Sequence, residues 1–101
     1  GGPVSFGGAK ALSRRLAMAD GYDALVLDLS AVPLIDSSAS LALEDAVLAA
    51  LGEGKAVFLA GLAPPVERTL DRIGTLALLP DDCRQPDRLT ALRAALARLG
   101  S

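Results

Sequence analysis

Two runs decide what this chain can fold into: Ala24-Leu25-Val26-Leu27 and Ala56-Val57-Phe58-Leu59-Ala60. Neither alternates apolar with polar residues, so neither suits a sheet with one wet face. Continuous apolar runs of this length mark strands covered on both sides, the habit of parallel sheets. The segments between and around the runs carry helical spacing instead. Strands that alternate with helices imply right-handed crossovers and a mainly parallel sheet.

Element by element, residues 3–6 predict a short strand, punctuated by Gly7-Gly8. Ala9, Leu12 and Leu16 recur at helical spacing over residues 9–19, with Lys10, Arg14 and Arg15 on other faces, and Asp20-Gly21 ends that helix. A strand follows over residues 22–29, and Pro33 stops its ladder. The next helix spans residues 37–51 and stops at Gly52-Glu53-Gly54. After the strand at Ala56–Ala60, Pro64-Pro65 suits a helix start, Val66, Leu70 and Ile73 give it an apolar face, and Gly74 caps it. Residues 76–79 predict the last strand. Leu89, Leu92, Leu96 and Leu99 repeat at 3-4-3 spacing, with Arg88, Arg93 and Arg98 off the stripe, so the leucines are expected to pack a terminal helix onto the sheet. The expectation is one α/β domain over residues 1–101, with about four strands alternating with four helices.

A chain of 101 residues buries roughly 60–65% of its unfolded surface, enough for a core without metals or disulfides. Its net charge is −2 and its only aromatics are Phe6, Tyr22 and Phe58, so it lacks both the basic footprint and the stacking platform of a nucleic-acid binder. There is no histidine and a single cysteine, Cys83. That excludes an ordinary Cys/His zinc site and every histidine-based nucleophilic device, and it implies no cofactor. No apolar run approaches the ~20 residues of a membrane helix, so the piece is expected to be soluble. A start at Gly1-Gly2-Pro3, without Met, is expected of a piece of something longer.

The chemistry-bearing stretch is residues 28–45, DLSAVPLIDSSASLALED. Loops beyond the carboxyl ends of parallel strands are where ligands and partners meet an α/β sheet. Asp36 is a good N-cap, and Ser37 and Ser38 fall at the first helical positions. Ser37, Ser40 and Glu44 are spaced to share one helix face. The plain reading is a capped helix start in which the serines fill the turn. The sharper one makes Ser37 a phosphoryl acceptor, whose added charge of about −1.5 to −2 would be held by first-turn amides and opposed by Asp36.

The run Leu25-Val26-Leu27-Asp28-Leu29-Ser30, then Val32-Pro33-Leu34-Ile35-Asp36-Ser37-Ser38, resembles the signature of STAS domains. These occur in bacterial anti-sigma-factor antagonists and in SulP anion transporters. Gly54-Lys55, Val66-Glu67-Arg68-Thr69-Leu70 and Ile73-Gly74-Thr75-Leu76 extend the likeness over almost the whole chain. Gly2-Pro3-Val4-Ser5-Phe6-Gly7-Gly8-Ala9 is similar to the opening of the SulP branch. Ala39, where the antagonists carry Gly, and Ser40-Leu41-Ala42-Leu43-Glu44-Asp45-Ala46 point the same way.

The resemblance implies a non-enzymatic regulatory and interaction domain, at the C-terminal end of a SulP-type transporter of sulfate or bicarbonate. It would sit on the cytoplasmic side of the inner membrane. The implied partners are the transmembrane domain of the same polypeptide, a twin subunit, and a cytosolic regulatory protein or kinase. The surface singled out is Val32, Pro33, Leu34, Asp36, Ser37, Ser38, Ser40 and Glu44. The alternative is a free-standing anti-sigma-factor antagonist, phosphorylated at Ser37 by its partner kinase. A small enzyme ranks last.

Other signals weigh less. Gly2 and Gly7 have P-loop separation, but Gly8 stands where the lysine must be. Asp28 and Asp36 read as a strand end and a helix cap rather than a metal pair. Arg88, Arg93 and Arg98 read as the solvated face of the terminal helix, too few for membrane recruitment. Cys83, in the loop Asp81-Asp82-Cys83-Arg84, is expected to be exposed and without catalytic company.

Overall fold

The structure is a computed structural model that describes residues 1–13 and 21–100. The apolar run beginning at Ala24 forms β2 (Ala24–Asp28), whose first four residues are all buried. It lies between β1 (Pro3–Gly7) and β3 (Ala56–Ala60), and β3 pairs in turn with β4 (Arg84–Gln85). All three pairings are parallel, in the order β1-β2-β3-β4. The register sets Val4 beside Leu25 and Val57, and Ser5 beside Val26 and Phe58. Neighbouring rows therefore point to opposite faces of the sheet.

Three α-helices are present among the described residues: α1 (Ser37–Gly52), α2 (Pro64–Ile73) and α3 (Arg88–Leu99). The β2-to-β3 and β3-to-β4 connections run through α1 and α2, which bury Leu43, Val47, Val66 and Leu70. On the other face lies α3: Arg88 bonds to the Ser5 hydroxyl, and the Arg98 guanidinium sits 4.9 Å from the Phe58 ring centroid. Gly74 closes α2 with φ +93, a left-handed cap that glycine adopts without strain. Asp87 caps α3, accepting from the Thr90 amide at 2.7 Å, and this bond holds its carboxyl below the usual carboxylate range.

The α/β reading and the parallel sheet hold, with three differences in detail. The helix expected over residues 9–19 falls largely on residues 14–20, outside the described residues, and its described start at Gly8–Leu12 is a 3-10 turn. Residues 76–79 are not the last strand. Leu76–Leu78 is a 3-10 turn, with the Leu78 amide donating to the Thr75 carbonyl, and it tucks Leu76 and Leu79 into the core. The fourth strand is the two-residue Arg84–Gln85, an edge too short to show any hydrophobic period.

The third difference is rotational. Of the leucine stripe of α3 only Leu92 packs against the core: Leu89, Leu96 and Leu99 are 58%, 57% and 39% exposed, while Ala91 and Ala95 are fully buried. Arg88, Ala91, Ala95 and Arg98 repeat at the same 3-4-3 spacing as the leucines, one residue earlier, and this second stripe is the one that packs. The arginines fix the choice from both ends. Arg88 donates to the Ser5 hydroxyl and carbonyl. Arg98 pairs with Asp82 at 2.6 Å and stacks on Phe58. The two alanines between them let the helix backbone approach the Val26–Phe58 row.

Two substitutions check this rotation. Leu96→Ala should change unfolding free energy by no more than about 0.5 kcal/mol. Ala95→Leu should cost about 1–3 kcal/mol by overpacking. Urea denaturation of both reads it directly, and a reversed order means that the leucines face the sheet.

Candidate functional site

The loop between β2 and α1 is built from its first acid. Asp28 Oδ1 accepts from the Ser30 amide at 3.0 Å and from the Ser30 hydroxyl at 2.7 Å, which turns the chain as soon as the strand ends. The Val32 amide then donates to the Leu29 carbonyl at 2.9 Å. Leu29 and Val32 are buried and anchor the loop from below. Pro33 and Leu34 stand out from it, Leu34 being 72% exposed.

Asp36 begins α1 as its composition predicts. Its backbone is extended (φ −85, ψ 174) and its carboxylate accepts from the Ala39 amide at 2.7 Å. Ser37 and Ser38 follow on the first turn, both exposed. Ser40 does not join them on the surface. It is 2% exposed, and its hydroxyl donates to the Ser37 carbonyl at 2.9 Å. Glu44 is half-buried and turned toward the end of α2, where it accepts from the buried Thr75 hydroxyl at 3.4 Å.

The eight residues singled out in the sequence therefore divide. Pro33, Leu34, Asp36, Ser37 and Ser38 form one open surface at the carboxyl end of the sheet. Val32 and Ser40 are built into its support, and Glu44 ties the helix to its neighbour. The polar stripe expected from Ser37, Ser40 and Glu44 is not a solvent face, because the inner side of α1 packs and its hydroxyl is satisfied locally.

Sequence reasoning missed what lies beside this loop. A cleft of about 360 Å³ runs along the carboxyl ends of β2, β3 and β4, lined by Ser30, Gly61, Leu62, Glu67, Arg84 and Gln85. Gly61 is its floor, with φ +67, and a Cβ there would stand 2.7 Å from the Ser30 Cβ. A glycine directly after an apolar strand was the available signal. Cys83 lies beneath the neighbouring turn. It is buried rather than exposed, and burial pushes its thiol up, away from thiolate chemistry. No helix among the described residues is long and apolar enough to cross a membrane.

A parallel α/β sheet with an Asp-Ser-Ser helix start beyond its second strand is the layout expected of a STAS domain, and the comparisons agree. Residues 1–85 match the STAS domain, and the chain belongs to that family. It is 37% identical over 99 residues to the bicarbonate transporter BicA of Synechocystis, covering 98% of this chain and 18% of that protein. BicA of Picosynechococcus is likewise 37% identical, over 94% of this chain and 17% of the relative. The chain thus spans less than a fifth of the length of these relatives.

Among solved structures, a sulfate transporter family protein from Wolinella succinogenes superposes with TM-score 0.81 at 20% identity, covering 99% of this chain and 88% of that one. The STAS domain of a SulP transporter from Vibrio cholerae gives 0.80 at 24% identity, covering 97% and 83%. At those identities the likeness is one of fold.

Asp36→Ala should lower stability by about 1 kcal/mol through loss of the cap, whereas Ser37→Ala, whose side chain is exposed, should leave unfolding essentially unchanged. Thermal melts of both variants decide it. An unfolded Ser37→Ala would make this serine structural.

Proposed function

We propose that this chain is the cytoplasmic STAS domain of a SulP-type anion transporter, and that it acts there as a non-catalytic regulatory and interaction module. The observation that carries the reading is the 37% identity along nearly the whole chain to two bicarbonate transporters, of which it spans only 18% and 17%. On this reading the domain influences transport through contacts rather than through chemistry of its own. Both curated relatives make bicarbonate the anion to test first, with sulfate next.

The contact surface proposed here is the loop of Pro33, Leu34 and Asp36 with Ser37 and Ser38. Leu34 supplies an apolar anchor and Asp36 is already committed to its cap. The two exposed hydroxyls are then the groups a partner reads or a kinase modifies. A phosphoryl group on Ser37 would meet the positive end of α1 on one side and Asp36 on the other. Modification should therefore change docking more than folding. The twin subunit, a cytosolic regulator and a kinase remain proposals attached to this surface.

Fractionation of native cells, probed with an antibody to this domain, tests the reading. A band several times the mass of this fragment and confined to membranes is expected. A soluble band near 10.3 kDa would overturn it in favour of a free-standing antagonist. In the full-length protein, Ser37→Asp should alter anion uptake without abolishing it.

A further inference from the structure

The cleft beside the β2–α1 loop carries a chemistry that the transporter reading leaves unused. Its volume of about 360 Å³ is at the small end for a ligand pocket, and only Leu62 and Pro86 give it apolar wall. The floor at Gly61 carries no side chain. Polar groups line the rest.

The donors among those groups are committed. The Ser30 amide and hydroxyl both donate to Asp28. The Gln85 amide nitrogen donates to the Asp82 carbonyl. Arg84 keeps further N–H groups, but its charge is balanced at 3.2 Å by Asp81, a carboxylate that does not line the cleft. The acceptors are open. Gln85 has its side-chain oxygen left, and the Ser30 oxygen, its one proton placed, can only accept. Glu67 is exposed, and among the described residues no cation lies within ion-pair distance of it. The first turn of α2 favours an acid through the helix dipole. That accounts for Glu67 as a helix residue, but not for a cleft whose open groups all accept.

We propose that this cleft receives a basic side chain, best an arginine, from a polypeptide that docks on the adjoining surface of Pro33, Leu34, Ser37 and Ser38. A guanidinium supplies five N–H donors and no acceptor, the complement of what the cleft leaves open. Glu67 takes it in paired bonds, the oxygens of Gln85 and Ser30 take further N–H groups, and the methylene stem lies on Leu62 and Pro86. An ammonium group, compact and with three donors, bridges such acceptors less well. A free small molecule is the poorer occupant, because the cleft offers it little apolar wall. Ser30 is both a wall of the cleft and the turn that starts the docking loop, so one partner can engage both. The cytoplasmic loops of membrane proteins carry an excess of Lys and Arg, which makes the transmembrane part of the same polypeptide the partner. That assignment rests on the transporter reading; the chemistry of the cleft does not.

The test is an NMR titration of the isotope-labelled 101-residue chain with capped peptides Gly-Gly-Xaa-Gly-Gly, in which Xaa is Arg, Lys or Glu. The arginine peptide should shift the amides of Ser30, Gly61, Leu62 and Gln85 to saturation, and bind more tightly than the lysine peptide. The glutamate peptide should be inert, and arginine binding should weaken as salt rises. Glu67→Gln should weaken the arginine peptide by about fivefold or more. Asp71→Asn, the same change of charge near the other end of α2, should leave it unchanged. Both acids are exposed, so folding should survive, and the peptide series on the unsubstituted chain is decisive by itself. No saturable shift with the arginine peptide, or an equal loss from Asp71→Asn, would overturn the proposal. So would tighter binding of the glutamate peptide that Arg84→Gln abolishes, which makes the cleft an anion site. A membrane-confined band without arginine binding would strike this proposal and keep the transporter reading. A soluble band with arginine binding would do the reverse.

Discussion

Everything in this domain depends on β2 being buried from both sides. Four consecutive side chains, Ala24 to Leu27, point alternately up and down and meet no water in either direction. A strand of that kind cannot lie at an edge or under a single helix layer. It requires hydrogen-bonded neighbours left and right, supplied by β1 and β3, and a helical cover above and below. Once those demands are met in parallel strands, the chain must leave the sheet at its carboxyl end. The loop from Asp28 to Asp36 is placed there by topology before any functional demand is made on it.

Much of this was legible in the sequence because it is written in strong local signals. The two apolar runs give the inner strands to within a residue or two. Asp36 announces the start of α1, and Gly74 the end of α2. The family likeness rests on the same stretch, since Asp-Ser-Ser after a buried strand is both a helix cap and a recognisable motif. What the residues alone left unresolved was direction. Ser40 and Glu44 share a helix face with Ser37 at ideal spacing, yet local packing turns the Ser40 hydroxyl onto a backbone carbonyl and draws Glu44 to Thr75.

The terminal helix shows the limit most clearly. Two stripes with identical periodicity run along it one residue apart, one of leucine and one of arginine and alanine. Hydrophobicity favours the leucines for the core, and that preference is wrong here. The sheet beneath already presents Val26 and Phe58, so it accepts alanine methyls and the flat guanidinium of Arg98 in preference to Leu89, Leu96 and Leu99, and only Leu92 keeps partial contact with the core. Such a choice depends on the shape of a surface assembled from strands far away in sequence. The fourth strand was missed for a related reason: two residues held by pairing to β3 carry no pattern of their own.

The sheet thus has two unlike faces, one covered by the acidic α1 and one by the basic α3 with its exposed leucines. The claim beneath all of this is the rotation of α3, and thiol accessibility in the folded chain tests it most directly. With the buried Cys83 replaced by Ala, cysteines placed at Leu96 and at Ala95 should differ sharply toward a water-soluble disulfide reagent. The Leu96 position should react at the rate of an unfolded peptide and the Ala95 position only as fast as the protein opens. Comparable rates, or a faster Ala95 position, would mean that the leucines face the sheet and that the two faces are not what is described here.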